Sequence, residues 1–86
     1  MKMKNKVLVE LIVPQIDQSF NLYIPINKKI GNVIVLISKA ITDLTNGVYI
    51  GSNKTFLYDS VTGDKYNIND LVIKTNIRNG SVLVLM

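Results

Sequence analysis

The stretch DSVTGDKYNIND, Asp59 to Asp70, holds the one local cluster of acidic side chains in this chain: Asp59, Asp64 and Asp70. Oxygen ligands gathered in this way are the raw material of a hard-cation site or of carboxylate acid–base chemistry. Their order does not match the D-x-[DN]-x-[DN]-G loop of a calcium hand. Turn chemistry accounts for Asp64, beside Gly63, and capping of a short helix accounts for Asn69 or Asp70. The chain has no histidine and no cysteine. The commonest general base, the commonest zinc ligand and any thiol nucleophile or disulfide are therefore excluded. Gly47, Gly51, Gly63 and Gly80 stand singly in turns, with neither the G-x-x-x-x-G-K-[ST] nor the G-x-G-x-x-G spacing that cradles phosphates. The expectation is a protein that is not an enzyme and that carries no catalytic residues, metal or cofactor.

The net charge of +4 comes from lysine, Arg78 being the only arginine. Nucleic-acid readers lean on arginine forks and stacked aromatics along one face. Here Lys28, Lys39, Lys54, Lys65 and Lys74 are scattered, as on a solvated surface, so no nucleic acid is expected as a partner. The start MKMKNK followed by VLVELIVP has the outline of a secretion signal. Glu10 interrupts its apolar part, however, Pro14 ends it early, and no small-residue cleavage site follows. No apolar run reaches the roughly 18–20 residues of a membrane span. Cytoplasmic location and no insertion into the membrane are expected. Residues 1–5 are expected to be a disordered basic N-terminus and 6–86 a single domain, since 86 residues suffice for one core.

Elements that could position a site follow from periodicity. KVLVELIVP (Lys6–Pro14) is a β-branched strand closed by proline. Glu10 sets its facing: Val7, Val9, Leu11 and Val13 inward, Leu8 and Ile12 outward with the carboxylate. After the turn QIDQ, SFNLYIPI (Ser19–Ile26) alternates with Phe20, Leu22, Ile24 and Ile26 inward. Pro25 cannot donate to a ladder, so this strand belongs at a sheet edge, hairpinned to the first. In NKKIGNVIVLISKAITDLTNG, propensity favours strand. The three-and-four spacing of Ile30, Val33, Ile34, Ile37, Ile41 and Leu44 nevertheless predicts a helix, stopped by Asn46-Gly47, with Val35 and Leu36 off its stripe. KTFLYDS (Lys54–Ser60) reads as a third strand, VTGDK as a turn and KYNI as a short fourth strand at most. NDLVIKTNIRNG reads as a turn of helix and a loop, and Ser81–Met86 as the last strand.

This order resembles the ubiquitin-like β-grasp. LYIPINKKIGNVIVLISKAI is similar to ubiquitin's second strand and helix, and NDLVIKTNIRNGSVLVLM to the segment from its helical turn to its last strand. The fold implied is α+β, a mixed four- to five-stranded sheet with one helix packed across one face. In size and in its ending the chain resembles the YukD/EsaB type of small bacterial ubiquitin-like protein. The resemblance implies an accessory or regulatory component of a type VII secretion system. Ubiquitin and the sulfur carriers end in a flexible glycine-glycine tail, which threads an activating enzyme because it lacks side chains. Here the sequence reads as strand to Leu85-Met86, so a sulfur-carrier role is disfavoured and no conjugation is expected. A β-grasp adaptor of another bacterial complex and a nucleic-acid-binding module are the alternatives.

The resemblance also implies where a partner binds. The last strand of a β-grasp runs beside the first in mid-sheet, and the helix covers only one face. With Leu83 and Leu85 under the helix, Val82, Val84 and Met86 lie on the open face beside Leu8 and Ile12. Phe56 and Tyr58 are expected inward on the third strand and Leu57 outward. Leu8, Ile12, Leu57, Val82, Val84 and Met86 then form an apolar patch of roughly a few hundred Å². Its expected cover is a protein partner, such as a secretion-machinery component, or a second copy in a homodimer.

Overall fold

The computed structural model describes residues 5–86, and the expectation of a disordered N-terminus falls, up to Lys4, outside them. Strand β1 (Lys6–Val13) alternates strictly, with Val7, Val9, Leu11 and Val13 buried. Pro14 cannot extend the ladder. It opens a 3-10 turn, Pro14–Ile16, closed by Asp17 in the left-handed region at φ 53°, which short polar side chains tolerate. Strand β2 (Gln18–Pro25) returns antiparallel to β1, Lys6 opposite Pro25 and Val13 opposite Gln18. The sheet order is β2-β1-β4-β3, so β2 lies at an edge, where Pro25 leaves no central ladder position unfilled.

Helix α1 (Ile30–Leu44) buries Ile30, Val33, Ile34, Ile37 and Ile41. The periodicity therefore outweighs the β-branched propensity, because packing against the sheet is worth more than the intrinsic preference of each residue. Leu44 departs from expectation: it is 65% exposed, at the last position of the helix. The helix stops at Asn46 and Gly47, both at positive φ, with the Gly47 N–H donating to Thr42 O at 2.9 Å. Its first donors are met by main chain rather than by a capping side chain. Ile30 N–H donates to Asp70 O at 2.8 Å and Gly31 N–H to Ile68 O at 2.9 Å. A Cβ on residue 31 would sit 3.2 Å from that same Ile68 oxygen, which explains the glycine.

Tyr49, 1% exposed, anchors the loop after the helix in the core. The Thr42 hydroxyl lies 2.9 Å from Tyr49 O, and Tyr49 N–H donates to Thr45 Oγ1 at 3.0 Å. Strand β3 is only Leu57–Asp59, shorter than Lys54–Ser60, and KYNI contributes a single bridge, Lys65 to Tyr58. A 3-10 turn, Val72–Lys74, carries the chain toward β4 (Val82–Leu85), which runs parallel to β1 and antiparallel to β3. One helix on one face of a mixed four-stranded sheet is the α+β arrangement expected. Leu83 and Leu85 close the core from β4, joined by Leu57, Val72 and Ile77.

Leu57 is thus a correction. Expected on the open face, it is fully buried. In β3 it stands opposite Leu85, and Tyr58 stands opposite Val84. Directly opposed residues share a face, so the buried side of Leu85 takes Leu57 inward and puts Tyr58, with Phe56 two residues before it, outward. A phenol and an aromatic ring tolerate partial exposure better than a leucine does.

Candidate functional site

The open face is built from alternate residues of four strands, and the pairing register fixes which of them meet. Ile12 of β1 lies opposite Val84 of β4, and Val84 lies opposite Tyr58 of β3. One continuous apolar row therefore crosses three strands. One step along the sheet, Glu10 lies opposite Val82 on one side and Asn21 on the other. A further step brings Leu8 opposite Tyr23. At the other end Met86 and Phe56 are joined by reciprocal backbone hydrogen bonds of 2.8 and 3.1 Å. Ile12, Val82 and Val84 are half-buried, and Leu8, Tyr23 and Met86 are exposed. The structure thus brings together Leu8, Ile12, Val82, Val84 and Met86 and leaves out Leu57.

Backbone bonds hold this face rigid where β4 begins. Leu8 N–H donates to Asn79 Oδ1 at 2.8 Å, Gly80 N–H to Leu8 O at 2.8 Å, and Glu10 N–H to Ser81 O at 3.0 Å. Gly80 takes φ 87° to make that approach, a conformation open to glycine at little cost. The face also gains Tyr23, Tyr58 and Phe56, which reasoning from sequence did not place in it. Tyr23 was legible as an outward residue of β2. The facing of Phe56 and Tyr58 followed only from the β3–β4 register. Beside them the Lys65 ammonium sits 4.3 Å from the centre of the Phe56 ring, a cation–π contact.

The acidic cluster assembles differently from its spacing. Asp59, rather than Asp64, organises the turn: its Oδ1 accepts from Val61 N–H at 2.8 Å and lies 3.4 Å from Thr62 N. Its Oδ2 accepts from Asn76 Nδ2 at 2.8 Å, and Asn76 Oδ1 in turn accepts from the Tyr66 hydroxyl at 2.7 Å. These bonds, that from Asn76 foremost, hold the Asp59 carboxyl below the usual aspartate range. Burial, and secondarily the charge of Asp59, push the Tyr66 phenol up to about 12. Neither Asn69 nor Asp70 caps the second 3-10 turn. Leu71 holds the cap position without a side-chain bond, and Asn67 instead accepts from Asn69 N–H at 2.9 Å. Among the described residues no three acidic side chains gather closely enough to hold a metal ion. The Asp59 carboxylate serves as turn and clamp.

With that geometry in place, likeness to known structures decides the fold. The EccD5 ubiquitin-like domain from Mycobacterium xenopi superposes with a TM-score of 0.77 over 94% of this chain and 92% of its own, at 15% identity. The fold is a ubiquitin-like β-grasp. A chain of the MycP5-free ESX-5 inner membrane complex superposes with a TM-score of 0.78 over 95% of this chain at 11% identity, and the present chain spans only 21% of that one. A chain of a toluene 4-monooxygenase HD complex with the inhibitor 4-bromobenzoate superposes with a TM-score of 0.76 over 93% of this chain and 95% of its own, at 6% identity. No protein-family model matches, and no curated protein matches by sequence. The same β-grasp therefore serves quite different assemblies, and function has to be argued from the surface.

Proposed function

We propose that this protein is a non-enzymatic ubiquitin-like interaction module, an accessory or regulatory component of a type VII secretion system. It docks a protein partner on the open face of its sheet, in the cytoplasm. The observation that carries the reading is the apolar row Ile12–Val84–Tyr58, extended by Leu8, Val82 and Met86 on the side of the sheet that the helix does not cover. Apolar surface grouped in this way, rather than scattered singly, is what marks docking sites on folded domains. One of the structural likenesses is a chain of an ESX-5 inner membrane complex, and another is the EccD5 ubiquitin-like domain. They favour that setting over another bacterial complex, and the YukD/EsaB type is the small stand-alone form that fits it. No described helix is long and apolar enough to cross a membrane. The module acts by binding rather than as a conjugated modifier.

A photoreactive residue at Val84, introduced in the native host, is expected to capture a component of the secretion machinery. The same probe at Lys39, on the outer side of the helix, is expected to leave it uncaptured. Capture of that component from Lys39 alone would remove the open face from the proposal. Loss of small WxG-type substrate export in Val84→Lys, with the fold retained, would support the setting. Undiminished export in a strain lacking the protein would sink it.

A further inference from the structure

The sheet ends on β3 at one side and on β2 at the other, and the chain treats the two edges differently. Along β3 the segment that follows supplies cover. Asp59 N–H donates to Asp64 O at 2.9 Å, Tyr66 N–H donates to Leu57 O at 2.9 Å, and Lys65 bridges to Tyr58. Along the outer edge of β2 no such bond is made among the described residues. Ile26 N–H donates to Asn5 O at 2.9 Å, and backbone groups alternate in direction along an antiparallel strand. Phe20, Leu22 and Ile24 therefore turn theirs toward β1, while Ser19, Asn21 and Tyr23 turn theirs away. Pro25 falls in the outward set, where its missing N–H breaks no ladder bond. An open edge is ordinarily guarded by lysine, by an inward charge or by a bulge. β2 has none of these: QSFNLYIP carries no charged side chain over its 8 residues, and it pairs with β1 at every position. On the helix side its Phe20 and Leu22 are only half-buried.

The outward groups of β2 are symmetric about Asn21. Antiparallel pairing with a second β2, Asn21 opposite Asn21, sets Ser19 opposite Tyr23. Each outward N–H of Ser19, Asn21 and Tyr23 then meets an outward carbonyl of the other strand. Pro25 falls opposite Asp17, outside the strand, so its missing donor is not needed. On the helix side, Phe20 of one copy lies opposite Leu22 of the other, and each covers what the single chain leaves half-exposed. Within the paired strands no like charges meet. This self-match argues for a second copy over an unrelated strand. We infer that β2 is a homodimerisation edge, on which two copies pair β2 to β2 about a two-fold axis at Asn21 and join their sheets into one. Antiparallel neighbours are related by an axis perpendicular to the sheet, so both helices lie on one side and both open faces on the other. The open face stays free, and the pair presents two apolar rows side by side. The inference stands on the backbone of β2 and does not depend on the docking role proposed above.

The chain has no cysteine, so a single introduced one reports its own contacts. In Asn21→Cys the two sulfurs belong to directly opposed residues with Cα atoms about 5.5 Å apart, within disulfide reach. In Tyr23→Cys they stand about 14 Å apart along the strands. Under mild oxidation Asn21→Cys is expected to give a covalent dimer at least about tenfold faster than Tyr23→Cys. In sedimentation the natural protein is expected to dimerise reversibly as its concentration rises. Asn21→Pro removes the central donor without touching the β1–β2 ladder, and is expected to be monomeric with its circular dichroism retained. Val84→Lys is expected to dimerise as the natural protein does. If proline costs the fold, the two cysteine variants still decide. A natural protein monomeric at every concentration would overturn the inference and leave the edge to a different chain. Equal cross-linking from the two positions would overturn it as well. A dimer lost in Val84→Lys but kept in Asn21→Pro would overturn it in favour of the open face. The docking reading survives loss of the dimer, since capture at Val84 tests it separately.

Discussion

At neighbouring positions of β4, Leu83 and Val84 face opposite environments, and a single charge placed at each reads the difference. Val84 is half-buried on the open face and Leu83 is 1% exposed beneath the helix. Val84→Lys is expected to cost about 1 kcal/mol, as lysine fits a strand less well than valine. Leu83→Lys buries an unpaired ammonium and is expected to abolish the cooperative melt altogether. Equal loss in the two thermal melts would show the outer face to be internal core. The same contrast applies across the β3–β4 ladder. Leu57→Ala should cost about 2–5 kcal/mol by urea denaturation, and Met86→Ala, exposed at the sheet margin, should cost less than about 1 kcal/mol. On β1 and β4 the facing was readable from the residues, because Glu10 names the wet side and long alternations follow from it. On β3 it was not. Three residues hold too little alternation to set a phase, and the aromatics flanking Leu57 looked the better core candidates until the partner strand fixed the parity.

The helix and the segment after β3 show at element scale which forces sequence patterns reveal. Ile37, midway along the buried stripe, is expected to lose about 2–5 kcal/mol on replacement by alanine. Lys39, exposed on the other side, should lose little. Equal effects would contradict the helical phase. That phase was legible because a 3.6-residue period sustained for four turns has few other causes. The exposure of Leu44 at its end was not, since periodicity does not record which positions tertiary packing covers. The loop that buries Tyr49 carried no pattern at all. Its anchor depends on Thr42 and Thr45, polar residues whose bonds appear only in three dimensions. The clamp of Asp59, Asn76 and Tyr66 likewise joins β3 to the chain ahead of β4, and its protonation makes it testable. Because the phenol of Tyr66 rises from 10.0 to about 12 in the folded protein, the folded state favours its neutral form. That stability is complete below pH 10.0 and is lost as pH climbs from there to about 12. Urea denaturation across that range should show a steeper alkaline loss in the natural protein than in Tyr66→Phe. The Asp59 carboxyl, lowered chiefly by Asn76, contributes in the opposite direction, and its share disappears only as pH falls through its depressed folded value.

On the scale of the whole molecule, the element order was enough to indicate a β-grasp because the two ends of the described chain had to meet. A proline-marked edge strand, a helix after it and an apolar final strand leave few arrangements in which every apolar face is covered. The meeting itself, β1 beside β4 in mid-sheet, has a consequence for how the molecule comes into being. Leu8 and Asn79, joined by a hydrogen bond, are 71 positions apart, and closing that bond brings together the ends of a loop that spans most of the described chain. A chain leaving the ribosome can pair β1 with β2 early. The other edge of β1 then remains open, with Val7, Val9, Leu11 and Val13 lacking the neighbour that completes their cover, until the last strand emerges. Such non-local closure is slow, on the order of milliseconds to seconds, and the waiting hairpin presents a sticky edge. A fragment ending before Val82 should therefore be unfolded and prone to aggregate in light scattering, whereas the full chain refolds in one phase in stopped flow. A compact monomeric fragment would refute this. The strand that offers Val82 and Val84 to a partner is also the one whose arrival ends the period in which the nascent chain needs protection.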